Sequence, residues 1–243
     1  MAELADSMPE IVISADTLRR WGQQWLGTVN PETGRAKARN CFDRQQSVNF
    51  ASFIDHAFAK SLAAMLGGIE VVGASPGSLF PPQADCVEVG AVRVIGGVRP
   101  QNFDAAYRPD GPRVVFDSKT LNDRKSVGKN WQNMVNDLAT QAATVHTRFP
   151  YAVVAFLVAI PLPALAEKQK NDIARTLERL GSRKDVLDQV HLAEALSLVI
   201  WDPERGSVDR AVPAPESPLR IEKLSETLFP HYLQRYKGLP PHA

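Results

Sequence analysis

Asp104, Asp117 and Lys119 have the residue types and the spacing that metal-assisted hydrolysis requires. An Asp-Gly step at 110–111 separates two segments of strand-like composition and is typical of a hairpin turn. These strands are predicted over 102–107 and 113–119. If the turn centres on the Asp-Gly step, Asp104 lies opposite Asp117, and both project from one face. Lys119 shares that face because side chains two residues apart on a strand point the same way.

Two carboxylates placed opposite each other in a sheet repel and destabilise it, unless a cation lies between them. Mg²⁺ prefers oxygen ligands and usually takes one or two carboxylates together with substrate phosphate. The carbonyl of Ser118, between Asp117 and Lys119, is a further candidate ligand. A lysine beside the metal would orient the attacking water and help to deprotonate it. The segment therefore predicts a Mg²⁺ site, at which Mn²⁺ can substitute.

Helices and strands that would position this segment are indicated by the hydrophobic periodicity. Around it we expect helix 46–66, strands at 69–74 and 86–98, helix 127–148, and a buried strand at 151–161. Towards the termini we expect a short strand at 10–13, helices at 16–26, 164–181 and 221–236, and a strand at 192–202. Strands grouped between helices predict one α/β domain.

This arrangement resembles the PD-(D/E)XK nuclease superfamily, which includes most type II restriction endonucleases. Asp104 matches the first acid and 117–119 matches the D-x-K element. The literal Pro-Asp pair, Pro109-Asp110, is the alternative first acid, but it lies at the expected turn tip. The resemblance implies a restriction-endonuclease-like core, α-β-β-β-α-β, with a mixed central sheet flanked by helices. That core would span 46–161 of a single domain, 1–243, with elaborations at 1–45 and 162–243.

The resemblance also implies a function: a Mg²⁺-dependent endonuclease that hydrolyses phosphodiesters in double-stranded DNA, most simply a sequence-specific type II restriction enzyme. Such enzymes usually act as homodimers, so that two sites cut two strands. A defence or repair nuclease without sequence specificity is one alternative. A non-catalytic DNA-binding protein that retains the fold is another.

Family members often add an acid from the first helix or strand and an amide from the helix after D-x-K. We take Glu88 as the third metal ligand, with Asp55 and Glu70 as alternatives. Gln141, near the inner face of helix 127–148, would touch the metal site or a phosphate, and Gln132 is the alternative.

DNA contacts are expected from basic and amide groups near the site. Segment 108–131 carries six basic and three acidic side chains, and its loop at 120–126 leads into a helix N-terminus, which favours phosphate binding. The predicted contacts are Arg108, Arg113, Asn122, Arg124, Lys125, Ser126, Lys129 and Asn130. The alternative is a solvated helix entry.

A second basic segment, the polar loop 27–45, is either solvated or a phosphate-contacting arm. Its basic residues are Arg35, Lys37, Arg39 and Arg44. Loop 33–46 and the region beyond 181 are the candidates for base recognition.

Composition sets limits on these hypotheses. With 28 basic and 27 acidic residues, the 243-residue chain has a net charge of +1, which excludes a uniformly basic nucleic-acid coat. Two cysteines, Cys41 and Cys86, are too few for a disulfide framework and are expected to be buried, reduced thiols. The N-terminus does not resemble a signal peptide, and the longest apolar run, 152–160, is too short to span a membrane. We therefore expect a cytoplasmic protein without membrane association.

Overall fold

A seven-stranded mixed sheet with helices on both faces forms the body of the protein in a computed structural model that describes residues 4–242. Its strands are β1 (Glu70–Gly73), β2 (Cys86–Ile95), β3 (Pro100–Tyr107), β4 (Val114–Thr120), β5 (Val153–Pro161), β6 (Ala195–Asp202) and β7 (Ser207–Val208). Its helices are α1 (Ala15–Leu26), α2 (Arg44–Met65), α3 (Val127–His146), α4 (Glu167–Leu180) and α5 (Ile221–Tyr236).

The strands pair in the order in which they occur along the chain. Strands β2, β3 and β4 form an antiparallel meander, whereas β4, β5 and β6 run parallel and are joined through α3 and α4. Every residue of β5 is buried, as expected for a continuous apolar strand with helices on both faces. The predicted α/β class is therefore confirmed.

Two apolar layers enclose the sheet. On one face, Phe58 of α2 stacks on Phe116 of β4, with ring centroids 3.8 Å apart, and α1 and α5 belong to the same layer. On the other face, α3 and α4 bury side chains such as Leu138 and Leu177 against the sheet. Helix α2 begins with a capping box between Asp43 and Gln46, which fixes its start next to the polar loop.

One expectation about the elements was wrong. Residues 10–13 form no strand, because no neighbouring strand supplies a hydrogen-bonding partner there. The four strands predicted between α2 and α3 are present, and β1 pairs in parallel with β2, so the three-strand series of the core implied by the resemblance has an additional edge strand. Within residues 4–242, no helix has both the length and the apolar character needed to cross a membrane.

Candidate metal and nucleic-acid site

The hairpin of β3 and β4 has the predicted register. Its ladder pairs Tyr107 with Val114 and ends at the pair Ala105–Phe116, so the next positions outward are Asp104 and Asp117. Here the backbone hydrogen bonds between the two strands stop, and Oδ2 of Asp104 accepts the backbone N–H of Ser118 at 2.8 Å instead. The two strands separate beyond this point, and we call the space between them the gap. The Asp104 carboxylate lies at its edge.

The side chains of β4 alternate across this gap. Phe116 faces α2, so Asp117 and Lys119 face α3. The Nζ atom of Lys119 lies 2.5 Å from Oδ2 of Asp117 and 2.9 Å from Oδ2 of Asp137 on α3. The predicted grouping of Asp104, Asp117 and Lys119 is thus present, with Asp137 added to it.

Asp55 approaches the gap from the opposite face of the sheet. It lies on α2 among buried residues, and the Ser118 side chain lies close enough to oppose the rise in its pKa. Its Oδ1 atom is buried without a hydrogen-bond partner among the described residues. A buried, incompletely satisfied carboxylate is costly, which is typical of a functional site.

The three acids perturb one another. Burial, reinforced by the charge of Asp117, raises the pKa of Asp55 to about 7. Burial and the neighbouring Asp104 raise the pKa of Asp117 to about 7, although Lys119 opposes the shift. Burial and Asp55 also raise the pKa of Asp104, against the Ser118 N–H. Without a cation, these carboxyl groups are therefore harder to ionise than ordinary aspartates.

Among the other predicted groups, Gln141 reaches the site through Asp137. Its Nε2 donates to Oδ2 of Asp137 at 3.4 Å, and its side chain is buried, whereas Gln132 is exposed. The sequence pattern did not single out Asp137, although it lies four residues before Gln141 and so shares its helix face.

Glu88, predicted as the third ligand, is instead engaged by an arginine in the structure. Its carboxylate is fully buried and paired with Arg108, at 2.5 Å and 2.8 Å to two guanidinium nitrogens. The same guanidinium donates to the carbonyls of Ser78, Phe80 and Arg93. This pair therefore holds the 78–80 loop, and Glu70, the other strand acid considered, is exposed on β1.

Three of the predicted DNA contacts do not face solvent. Arg108 is engaged by Glu88. Arg113 is buried, pairs with Asp110, donates to the Pro240 carbonyl and lies over the Tyr236 ring. The side chain of Asn122 is buried, and the Trp25 indole donates to its backbone carbonyl at 2.6 Å. The Asp110 carboxylate is engaged by Arg113 at the turn, which argues against Asp110 of the Pro109-Asp110 pair as the first acid.

The remaining contacts form a surface that we call the basic entry, made of Arg124, Lys125, Ser126, Lys129 and Asn130. Ser126 is partly exposed, and the other four side chains are exposed. The three basic ones make no ion pair among residues 4–242. No side chain caps the N-terminus of α3 beside them. The Arg124 N–H donates to the carbonyl of Asn40, which brings the polar loop to this surface.

Three of the four basic side chains of the polar loop, Arg35, Arg39 and Arg44, are exposed to solvent. Lys37 is different: its Nζ donates to the carbonyls of Gly27 and Cys41, both at 2.7 Å, so this lysine closes the loop. Cys41 and Cys86 are free, as expected, but Cys41 is only half-buried.

A cleft of about 730 Å³ opens on the α2 side of the gap. Asp55 and Asp104 line one part of it, and His56 and Lys60 of α2 line another. The opposite wall comes from β1 and β2, where the β2–β3 ladder skips Gly90 and Ala91. Asp55 and Asp104 therefore border a cleft that opens to the outside of the molecule.

The residues at the gap fit a hard divalent cation. Within residues 4–242, no group of three or more His, Cys, Asp or Glu side chains is arranged to hold a metal alone. Mg²⁺ does not require such a group, because it commonly uses one or two carboxylates and keeps several waters. No protein-family model, no curated protein and no solved structure matches this chain. The interpretation of the site thus depends on its own geometry.

Proposed function

We propose that the protein is a Mg²⁺-dependent DNA endonuclease with a restriction-endonuclease-like core between α2 and β5. One observation carries the proposal: Asp104 binds the Ser118 N–H where β3 and β4 separate, beside Asp117 and Lys119. The antiparallel meander followed by a helical crossover to parallel β5 is consistent with that core.

The metal would be held by Asp104, Asp117 and the carbonyl of Ser118. The N–H and carbonyl of one strand residue point to the same side of the strand, so this carbonyl faces Asp104 as the N–H does. The unpartnered oxygen of Asp55 is placed to accept a hydrogen bond from a water in the site. When bound, Mg²⁺ would activate water and stabilise charge on the phosphate.

The chain's own groups would complete the chemistry. Lys119, one-quarter exposed, would orient the attacking water and offset charge on the phosphate oxygens. The basic entry would bind the backbone of the DNA, and the positive end of the α3 helix dipole adds to its attraction for phosphate. A net charge of +1 is compatible with this role, because a net sum does not exclude a local basic surface such as the basic entry, whose three cations are exposed.

The test is cleavage of plasmid and phage DNA with Mg²⁺ or with EDTA, by wild type, Asp117→Ala and Lys119→Ala. The exposed Lys168→Ala on α4 is the matched control. We expect cleavage that requires Mg²⁺, is lost in both site variants and is kept in the control. Discrete fragments would support a restriction enzyme, and smearing would support a non-specific nuclease. Absence of cleavage on any DNA, methylated or not, would overturn the proposal.

A homodimer is part of the same proposal, since cutting both strands of a duplex at once needs two sites. Sedimentation of the protein with and without DNA measures this directly. A monomer that only nicks plasmid would contradict the dimer and leave the chemistry in place.

A further inference from the structure

The ammonium group of Lys119 lies between two carboxylates of unequal burial. It is 2.5 Å from Asp117, whose side chain is 6% exposed, and 2.9 Å from Asp137, whose side chain is 42% exposed. We propose that Asp137 is a positioning residue that holds Lys119 in its working orientation while Asp117 is engaged by the metal. This inference rests on the proposed function and adds a residue to it.

The Asp117 carboxylate cannot bind a metal ion and pair with the Lys119 ammonium group equally well at the same time. A cation bound by its carboxylate withdraws the negative charge that attracts the ammonium group, and it also repels that group directly. Lysine carries its charge on a flexible four-carbon chain, so an ammonium group without a fixed partner samples several rotamers. A second ion pair, with a carboxylate that is not a metal ligand, restricts the number of rotamers that the lysine samples.

Asp137 is built to be that anchor. It lies in the middle of α3, where the adjacent Leu138 is fully buried in the core and fixes the helix against the sheet. Gln141, one turn later, donates to Oδ2 of Asp137, the oxygen that faces Lys119. Oδ1 lies 4.0 Å from the Arg99 guanidinium. The carboxylate is therefore oriented from two sides.

The ion pairs of Lys119 determine what the removal of Asp137 does. The carboxylates of Asp117 and Asp137 lie 2.5 Å and 2.9 Å from its ammonium group. In Asp137→Asn the ion pair outside the metal's ligand set is lost, so the Lys119 side chain should become more mobile.

The experiment compares wild type with Asp137→Asn, Asp137→Glu and the neighbouring exposed Asn136→Ala as a matched control. Single-turnover DNA cleavage with Mg²⁺ is measured across pH, together with KM. In the metal-free protein, ¹³C relaxation of the labelled Lys119 side chain, assigned by Lys119→Arg, reports how firmly that side chain is held, independently of activity.

We expect Asp137→Asn to lower the cleavage rate about 10-fold to 100-fold, the effect of removing a charge-assisted hydrogen bond. KM should stay within about twofold, since the anchor touches no substrate. Asp137→Glu should restore part of the rate, and Asn136→Ala should match wild type. The Lys119 side chain should be more mobile than in wild type in Asp137→Asn only.

Two results would overturn the inference: unchanged Lys119 side-chain mobility in Asp137→Asn, or increased mobility with an unchanged cleavage rate. If wild type cleaves no DNA, the proposed function fails. The relaxation measurement still reports whether Asp137 holds Lys119, so the two failures are distinguishable.

Discussion

Asp104 accepts the backbone N–H of Ser118 at 2.8 Å, one position beyond the last ladder pair of β3 and β4. The carboxylate thus has two tasks, closing the sheet and facing the gap. Substitutions separate these tasks. Asp104→Ala leaves a partly buried N–H without its partner and should lower the free energy of unfolding by about 1–3 kcal/mol.

Asp104→Asn keeps an oxygen that accepts the same N–H. In the absence of metal, its urea unfolding midpoint should therefore be at least as high as that of wild type. Both variants should lose Mg²⁺ binding in calorimetric titrations. Equal destabilisation by the two variants would show that the hydrogen bond to Ser118 contributes no stability.

The pH dependence of stability should show that the pKa of Asp55 is raised in the folded protein. Its pKa of about 7 in the folded protein exceeds the ordinary value of 3.8, so the folded state binds a proton that the unfolded state releases. This contribution is fully present below about pH 4 and is lost as pH rises towards 7. Its upper limit is about 4 kcal/mol, since one pKa unit corresponds to about 1.4 kcal/mol.

Urea unfolding of wild type and Asp55→Asn in EDTA measures this contribution. The stability of the variant relative to wild type should increase from pH 4 to pH 8, and Mg²⁺ should recover wild-type stability at pH 8. A difference that does not change with pH would contradict the assignment.

Glu88 should prove structural. Glu88→Gln leaves the Arg108 guanidinium buried without its counter-ion, which typically costs about 3–5 kcal/mol of stability. Mg²⁺ affinity should not change, because the carboxylate is fully used by Arg108. Denaturant unfolding and metal titration of the same variant provide both measurements. Reduced Mg²⁺ affinity with normal stability would instead place Glu88 among the ligands.

The basic entry should contribute most of the salt dependence of DNA binding. Neutralising Lys125 and Lys129 together should reduce the slope of log K against log salt by about 2, close to one for each phosphate that a lysine no longer neutralises. Binding is measured with the inactive Asp117→Ala protein. Lys184→Ala together with the exposed Lys237→Ala is the control, and an equal effect of that pair would contradict a localised surface.

The cleft beside Asp55 and Asp104 should be blocked by Gly73→Leu. A Cβ atom at Gly73 meets no atom within 4 Å, so the new side chain enters the cleft without disturbing the fold. We expect normal thermal unfolding and Mg²⁺ binding, with lower kcat/KM on DNA. Ala64→Leu adds the same side chain to an exposed position on α2 away from this cleft and should have no effect.

The local features of the site were predictable from sequence. The Asp-Gly turn fixed the β3–β4 register, and the register placed Asp104 next to Asp117. The fully apolar run of β5 identified the central strand for the same local reason. Both inferences need only neighbouring residues, and both are confirmed.

Partners distant in the sequence were not predictable in this way. A strand acid such as Glu88 has the same pattern whether it binds a metal or an arginine, and Arg108 lies 20 residues away. Arg113 is covered by the segment around Pro240, a contact between residues 127 positions apart. Asp137 meets Lys119 only because of the rotation of α3 against the sheet, which tertiary packing determines.

The identity of strand order and chain order has a consequence for how the protein reaches its structure. Each strand pairs with the one made just before it, so no early strand waits for a later one to be inserted beside it. Chains emerging from the ribosome generally fold from the N-terminal end. Once β5 has emerged, every side chain assigned to the site is present, and the strands and helices that follow extend and cover an existing sheet.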